Sequence, residues 1–357
     1  MAEPQRSKLE VGDIAPSFEA KDAHGKPLHL GGDSVSGKPH VMVFLRDLQD
    51  PAVQAGLQQL TAWAERLAGL GAETFVVVPL LPPQALAYQQ EKSIPFRLLS
   101  DPAADAARQL VPQVLDAGGP PLVTVVLRPN RHVMAVLEDP EADHGDLACA
   151  HIETLAAQRA RRPGEAHAPV LMVPDVLSPQ DCQRLMTVFA MQGNEFVEPG
   201  DGTKNRTQDY KMRIPDYGRN DRVDHWVINN DTTNFIAKRL GQRVMPEIRK
   251  AFHYNITKFE RFRIGQYKAA GGETIGALHG HRDNSEPQVA YRRFACSVNL
   301  NAESHEGGGL IFPEYGGQEY SPRTGEALVF SSSLLHEVRP VTKGTRYVVL
   351  SFLYGDV

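Results

Sequence analysis

Three residues in the second half of this sequence have the types and spacing of a metal site. His281 and Asp283, in HGHRDN, are one residue apart, and on a strand, where side chains alternate, both project from the same face. An imidazole and a carboxylate so placed, joined by a second imidazole from a distant strand, form the facial set that holds non-haem iron(II) and leaves three positions open. His336, in SSSLLHEVRP, is the imidazole expected there. Taken alone the HxD tripeptide is weak evidence, because such pairings are common as solvated turns or polar contacts. Arg346 strengthens it. This arginine follows His336 by ten positions, on the otherwise apolar stretch RYVVLSFLY. A guanidinium there is costly to bury unpaired, so a planar anion is expected beside it. The distal carboxylate of 2-oxoglutarate meets that need, and a protein carboxylate is the competing partner.

The elements that must position these groups are mostly strands. From KFERFRIGQY through ETIGALHGH, RFACSVNLN, GGLIFPE, EALVFSS and HEVRPV to RYVVLSFLY, short apolar runs alternate with Gly, Pro and Asn, the pattern of a double-sheet jelly roll. Helices precede them. Ser178 and Pro179 open an amphipathic helix, and Ile236, Leu240, Val244, Ile248 and Phe252 recur every four residues in a second, with a kink expected at Pro246. Positions 198–225 are polar and rich in Arg, Asp and Gly, the composition of a mobile lid. Arg206, Arg213, Arg219 and Arg222 in it suit an acidic substrate and suit a solvated loop equally well. His279 shares the face of His281 and Asp283, and is read as a packed, non-ligating histidine; His305 is read as solvated.

The first half has a different rhythm. β-type runs (HVMVFL, TFVVVPL, PLVTVVL) alternate with helical ones, which reads as α/β. In the first helical run Val53, Leu57, Leu60, Ala64 and Leu67 mark one face, with Gly69 and Gly71 suited to its C-cap. The expected organisation is a first domain over 1–150, a linker over 151–167 and a second domain over 168–357.

The 357 residues carry a formal net charge of −5, with 41% hydrophobic and 23% charged residues. That balance speaks against a polyanion-binding surface, and no stretch is long and apolar enough to suggest a membrane span. Cys149, Cys182 and Cys296 are an odd, widely spaced set, read as buried reduced thiols. With no secretory-type apolar segment in MAEPQRSKLEVGDIAPSF, the expectation is a cytoplasmic protein without nucleic-acid or membrane partners. A homodimer stays open.

Two resemblances follow. VGDIAPSFEAKDAHGKPLHL, GKPHVMVFL and FRLLSDP resemble the peroxiredoxin and redoxin branch of the thioredoxin fold. The peroxidatic cysteine that this implies, after the HVMVFL strand, is missing from LRDLQDPAVQ, so thiol peroxidase chemistry is not expected. A structural or docking module remains. HRD at 281–283, NLN at 299–301, EGGGLIFPEYG at 306–316 and PRTGEALVFSSSLLHEVRPVTKGTRY at 322–347 resemble the prolyl 4-hydroxylase-type branch of the iron(II)/2-oxoglutarate oxygenases. This implies a double-stranded β-helix core, His281, Asp283 and His336 as iron ligands, and Arg346 as the 2-oxoglutarate anchor. It also implies Tyr267 as a support for the cosubstrate, with O2 as a second cosubstrate and ascorbate as a candidate reductant. Where such hydroxylases often carry a threonine this chain has Ala295, and Ser297 is the candidate to replace its hydrogen bond. The implied activity is hydroxylation of an aliphatic C–H in an amino acid, peptidyl side chain or small metabolite, with release of succinate and CO2. Desaturation and cyclisation stay open, and the alternative is a non-catalytic scaffold.

Overall fold

The computed structural model describes residues 8–32, 34–161, 167–198, 206–214, 220–269 and 280–355. Two compact units divide after Ala166.

The first unit contains β1 (Glu19–Asp22), β2 (Pro27–His29), β3 (His40–Leu45), α1 (Pro51–Ala62), α2 (Ala64–Gly69), β4 (Glu73–Val78), α3 (Pro82–Glu91), β5 (Arg97–Ser100), α4 (Asp105–Leu110), β6 (Leu122–Leu127), β7 (Val133–Leu137) and α5 (His144–Arg161). Its sheet runs β2-β1-β5-β4-β3-β6-β7, with β3, β4 and β5 parallel and β6 antiparallel to β3, a thioredoxin-like α/β arrangement. The central strand β3 is buried on both faces, which explains its unbroken apolar run. Val41, Val43 and Leu45 join one core, Met42 and Phe44 the other. The helix expected over Val53–Leu67 is broken at Trp63 into α1 and α2, yet Val53, Leu57, Leu60 and Leu67 all reach the same core. Gly71 follows at φ +73°, and the amide of Ala72 donates to the Leu67 carbonyl in a glycine-closed C-terminus.

One boundary needs correction. The linker expected over 151–167 starts too early, because α5 runs on to Arg161, at the Arg- and Pro-rich sequence that reads as a helix end, with Ile152 in the first unit's core and Leu155 buried.

The second unit opens with β8 (Val170–Val173) and α6 (Pro179–Met191), capped by Ser178, whose Oγ accepts from the Asp181 amide. After β9 (Tyr210–Ile214) and β10 (Asn220–Trp226) come α7 (Asn230–Arg243) and α8 (Met245–Phe252), which separate at Val244, just before Pro246. Then follow β11 (Lys258–Phe259), β12 (Arg263–Ala269), β13 (Phe294–Asn299), β14 (His305–Gly307), β15 (Leu310–Ile311), β16 (Glu319–Tyr320), β17 (Ala327–Ser331), β18 (Glu337–Val338) and β19 (Val341–Tyr354). A large antiparallel sheet in the order β8-β17-β13-β19-β12-β10-β9, with β11 and β14 also on β19, is accompanied by a small one, β16-β15-β18. Two antiparallel sheets after a helical lead-in make the expected jelly-roll core. Its apolar interior includes Ile236, Leu240, Val244 and Ile248 from the helices and Phe294, Cys296, Val298 and Val349 from the sheet.

The mobile lid expected at 198–225 is not what its described residues form. Residues 210–214 and 220–226 are the edge strands β9 and β10, paired in register from Tyr210↔Trp226 to Ile214↔Arg222. Polar residues at buried positions hid the strands: Lys211, Asp224 and His225 are buried beside Tyr210, Met212 and Val223, so no apolar alternation shows in the sequence. ETIGALHGH lies outside the described residues except at its last two positions, Gly280 and His281.

Candidate metal centre

The triad is assembled by backbone before side chains enter. His281 and His336 form a lone antiparallel bridge, the His281 amide donating to the His336 carbonyl at 2.9 Å and the reverse bond measuring 3.1 Å. Asp283 is fixed next to them by its amide, which donates to the Ser332 carbonyl at 2.9 Å. The approach depends on Gly280, where a Cβ would lie 2.5 Å from the His336 carbonyl oxygen.

From this frame the side chains converge. His281 Nε2 lies 3.4 Å from Asp283 Oδ1, and His336 Nε2 lies 3.6 Å from Asp283 Oδ2. One ligand atom from each residue falls within 4.8 Å of the other two, a span that one ion at ordinary ligand distances bridges. His336 Nδ1 is 3.0 Å from the Leu334 carbonyl, so that nitrogen carries the proton and Nε2 keeps its lone pair for a metal. The rings of Phe330 and Phe312, at centroid distances of 4.6 and 6.3 Å, hold the imidazole in place. Burial alone would raise the Asp283 carboxyl, but His336, His281 and Arg263 outweigh it and hold it below the ordinary carboxylate value. Asp283 is therefore held as a carboxylate beside the two imidazoles.

The triad opens onto a cavity of about 340 Å³, whose lining also includes Arg346, Tyr267 and Ser297. Sheet register explains the gathering. Tyr267 on β12 faces Arg346 on β19 and Arg222 on β10, so one row across three strands presents guanidinium, phenol and guanidinium. The Arg222 and Arg346 guanidinium carbons lie 5.0 and 5.3 Å from the Tyr267 ring centre. Arg346 is 2% exposed, its Nη2 has no hydrogen-bond partner among the described residues, and burial pulls its pKa below the usual guanidinium value. A buried arginine with an unanswered donor, in the cavity that carries the triad, fits a dicarboxylate cosubstrate. Gly308 makes room for it: with φ +78°, it lies where a Cβ would meet Arg346 Cδ at 2.8 Å.

Other expectations fare differently. Arg206 pairs with Glu195 and Arg213 with Asp221, both away from the cavity lining, whereas Arg222 lines it and makes two 2.9 Å bonds to Asp224. Arg219 and His279 lie outside the described residues. His305, expected in solvent, is half-buried at the start of β14, and burial, together with Arg346, lowers its pKa. The glycines that permit these close approaches have no chemistry of their own to mark them in a sequence. The position of Asp224 between two arginines was also missed, because β10 was read as loop.

Comparison with known proteins gives a separate line of support. Residues 265–354 match the 2OG-Fe(II) oxygenase superfamily and residues 11–136 match the AhpC/TSA family. A procollagen-lysine,2-oxoglutarate 5-dioxygenase 1 of Mus musculus is 32% identical over 122 residues, 32% of this chain and 15% of that protein. PKHD-type hydroxylases of Phenylobacterium zucineum and Stenotrophomonas maltophilia are 32% identical over 128 residues and 44% identical over 99 residues. Those matches cover 34% and 26% of this chain and 47% and 41% of the relatives, so the chain spans less than half of each. Among solved structures, the peroxidoxin BcpB of Mycobacterium tuberculosis is similar at 21% identity and a TM-score of 0.36, over 41% of this chain and 98% of that one. The chain therefore joins a redoxin-type segment that matches the AhpC/TSA family to a segment that matches the 2OG-Fe(II) oxygenase superfamily.

Proposed function

We propose that the second unit is an iron(II)- and 2-oxoglutarate-dependent dioxygenase that hydroxylates an aliphatic C–H of its substrate, with release of succinate and CO2. The observation that carries this reading is the unanswered Nη2 of Arg346 in the cavity of the His281, Asp283 and His336 cluster. His281, Asp283 and His336 would hold the iron, and Arg346 would take the far carboxylate of 2-oxoglutarate. Bound together, metal and cosubstrate supply oxidative decarboxylation coupled to O2 activation. The protein's part is positioning. Asp283 occupies a ligand position that a halide would need, which favours hydroxylation over halogenation. Tyr267, stacked between two guanidiniums, keeps Arg346 aimed into the cavity, and Ser297 offers a hydroxyl on the same wall. Phe330, Leu350 and Phe352 give that cavity apolar walls that exclude water from the reacting groups.

The first unit is assigned no peroxide chemistry. Cys149, the first cysteine of the chain, is buried in α5, and burial pushes its thiol up, away from the thiolate such chemistry needs. A cytoplasmic location is supported by three cysteines that are all free and buried. The test is spectroscopic. Anaerobic protein given Fe(II) and 2-oxoglutarate should develop the weak visible charge-transfer band of a chelated complex, and on admission of O2 should release succinate. Absence of both would leave the scaffold reading.

A further inference from the structure

The same cavity contains a second buried guanidinium that the proposed cosubstrate does not use. Arg263 starts β12, four residues before Tyr267, so strand alternation turns both to the same face. Its side chain is 15% exposed and lines the cavity with the triad. The guanidinium carbon sits 5.1 Å from the Trp226 ring centre and 5.2 Å from that of Phe352, which fixes the plane of the fork.

What Arg263 lacks is a hydrogen-bonding anion of its own. Its nearest carboxylate is Asp224, at 3.6 Å from Nη1, beyond hydrogen-bond range. Both oxygens of Asp224 are already engaged by Arg222, at 2.9 Å each. Asp224 is fully buried, and opposite it in the ladder is Gly265, where a Cβ would lie 3.3 Å from Oδ1. No hydrogen bond to the Arg263 guanidinium is formed among the described residues. Its neighbour Arg292 is in a different position, since Glu260 takes it in a two-bond pair at 2.5 and 2.8 Å.

The electrostatics point the same way. When bound, a metal dication would be offset by Asp283 and by one end of 2-oxoglutarate, and Arg346 would be offset by the distal carboxylate. Arg222 and Arg292 are answered by Asp224 and Glu260, which leaves Arg263 as a cavity-lining guanidinium with no hydrogen-bonded carboxylate among the described residues. We propose that Arg263 recognises a carboxylate on the substrate, and that the substrate is a small free carboxylic acid of amino-acid size. A cavity of about 340 Å³ that would also house the cosubstrate suits a small substrate. The proposal rests on the oxygenase reading above and deepens it.

The experiment titrates the anaerobic full-length protein, loaded with Fe(II) and 2-oxoglutarate, with the common L-amino acids and with their primary amides, following perturbation of the charge-transfer band. The expected result is that one or more acids perturb the band and the matching amides do not. Arg263→Gln should keep the unperturbed band, showing intact iron and cosubstrate sites, yet bind the responsive acid about tenfold or more weakly. Arg263→Lys, which keeps charge but not the fork, should fall between. Arg222 still holds Asp224 in both variants, so folding should survive, and a melting curve checks it. Equal binding of acid and amide, unchanged acid affinity in Arg263→Gln, or no response to any acid at millimolar concentration would each overturn the proposal. Loss of the starting band in Arg263→Gln would reassign the residue to 2-oxoglutarate. A wild-type protein that forms no band at all would remove the oxygenase reading itself.

Discussion

His281 and His336 exchange both backbone hydrogen bonds, so the two imidazoles are neighbours because their peptide groups are. Their ring centres are 4.5 Å apart. The candidate metal centre is thus built on a two-residue ladder, and its geometry should respond to changes that touch none of its three side chains.

Gly280→Ala tests that dependence. A methyl 2.5 Å from the His336 carbonyl must push the bridge apart. Iron affinity should fall about 10–100-fold, as for loss of a supporting contact, with a stability cost of about 1–3 kcal/mol. Equilibrium dialysis against a competing chelator measures the first and urea unfolding the second. Unchanged iron affinity would detach the bridge from the site.

Asp283→Ala removes the only carboxylate of the cluster. Iron stoichiometry after anaerobic loading should drop well below one per chain, and succinate release should fall more than about 100-fold. Full succinate formation by this variant would refute the ligand assignment.

Arg346→Met separates function from stability. The charge-transfer band at a fixed 2-oxoglutarate concentration should disappear, because the distal carboxylate loses its partner. The apoprotein should nevertheless melt about 2–4 °C higher, since an apolar side chain replaces a buried cation with an unanswered donor. A lower melting temperature would mean that the guanidinium is already compensated by protein.

Asp209 carries a pH prediction away from the cavity. It accepts from His225 Nε2 at 2.8 Å and from the amides of Ile228 and Asn229, both at 2.7 Å. Burial opposes ionisation, but these donors outweigh it and hold its carboxyl below the ordinary value. A folded pKa below the unfolded one contributes stability above the unfolded value of about 3.9, and that stability is lost as pH falls through the folded value. Asp209→Asn should cost about 1–3 kcal/mol near neutrality, and the gap from wild type should close as pH falls below about 4. Urea unfolding at a series of pH values reads this directly, and a gap independent of pH would remove the ionic explanation.

The metal-site residues were legible because each has a chemical type that is expensive without a purpose: an imidazole beside a carboxylate at strand spacing, or a guanidinium in RYVVLSFLY. β3 was legible because its two buried faces leave a continuous apolar run. β9 and β10 were not, since Lys211, Arg222 and Asp224 occupy positions where a sheet normally shows apolar residues, and the pairing of Arg222 with Asp224 appears only in space. Gly280 and Gly308 were silent for the opposite reason: their contribution is the absence of atoms. The end of α5 at Arg161 was legible from the Arg- and Pro-rich sequence that follows it, while the linker boundary at 151 was placed too early.

One feature of the sheet bears on how the chain is made. β19 sits between β13 and β12 and also pairs with β11 and β14, so it is the strand on which the others are assembled. It is also the last strand of that sheet to leave the ribosome. The first unit's sheet uses only residues before Ala166, so its partners are all present while the oxygenase unit is still being synthesised. Until β19 emerges, β12 and β13 present unpaired edges and Arg346 does not yet exist. The order of synthesis therefore leaves the proposed cosubstrate site incomplete until the last strand of the sheet has emerged.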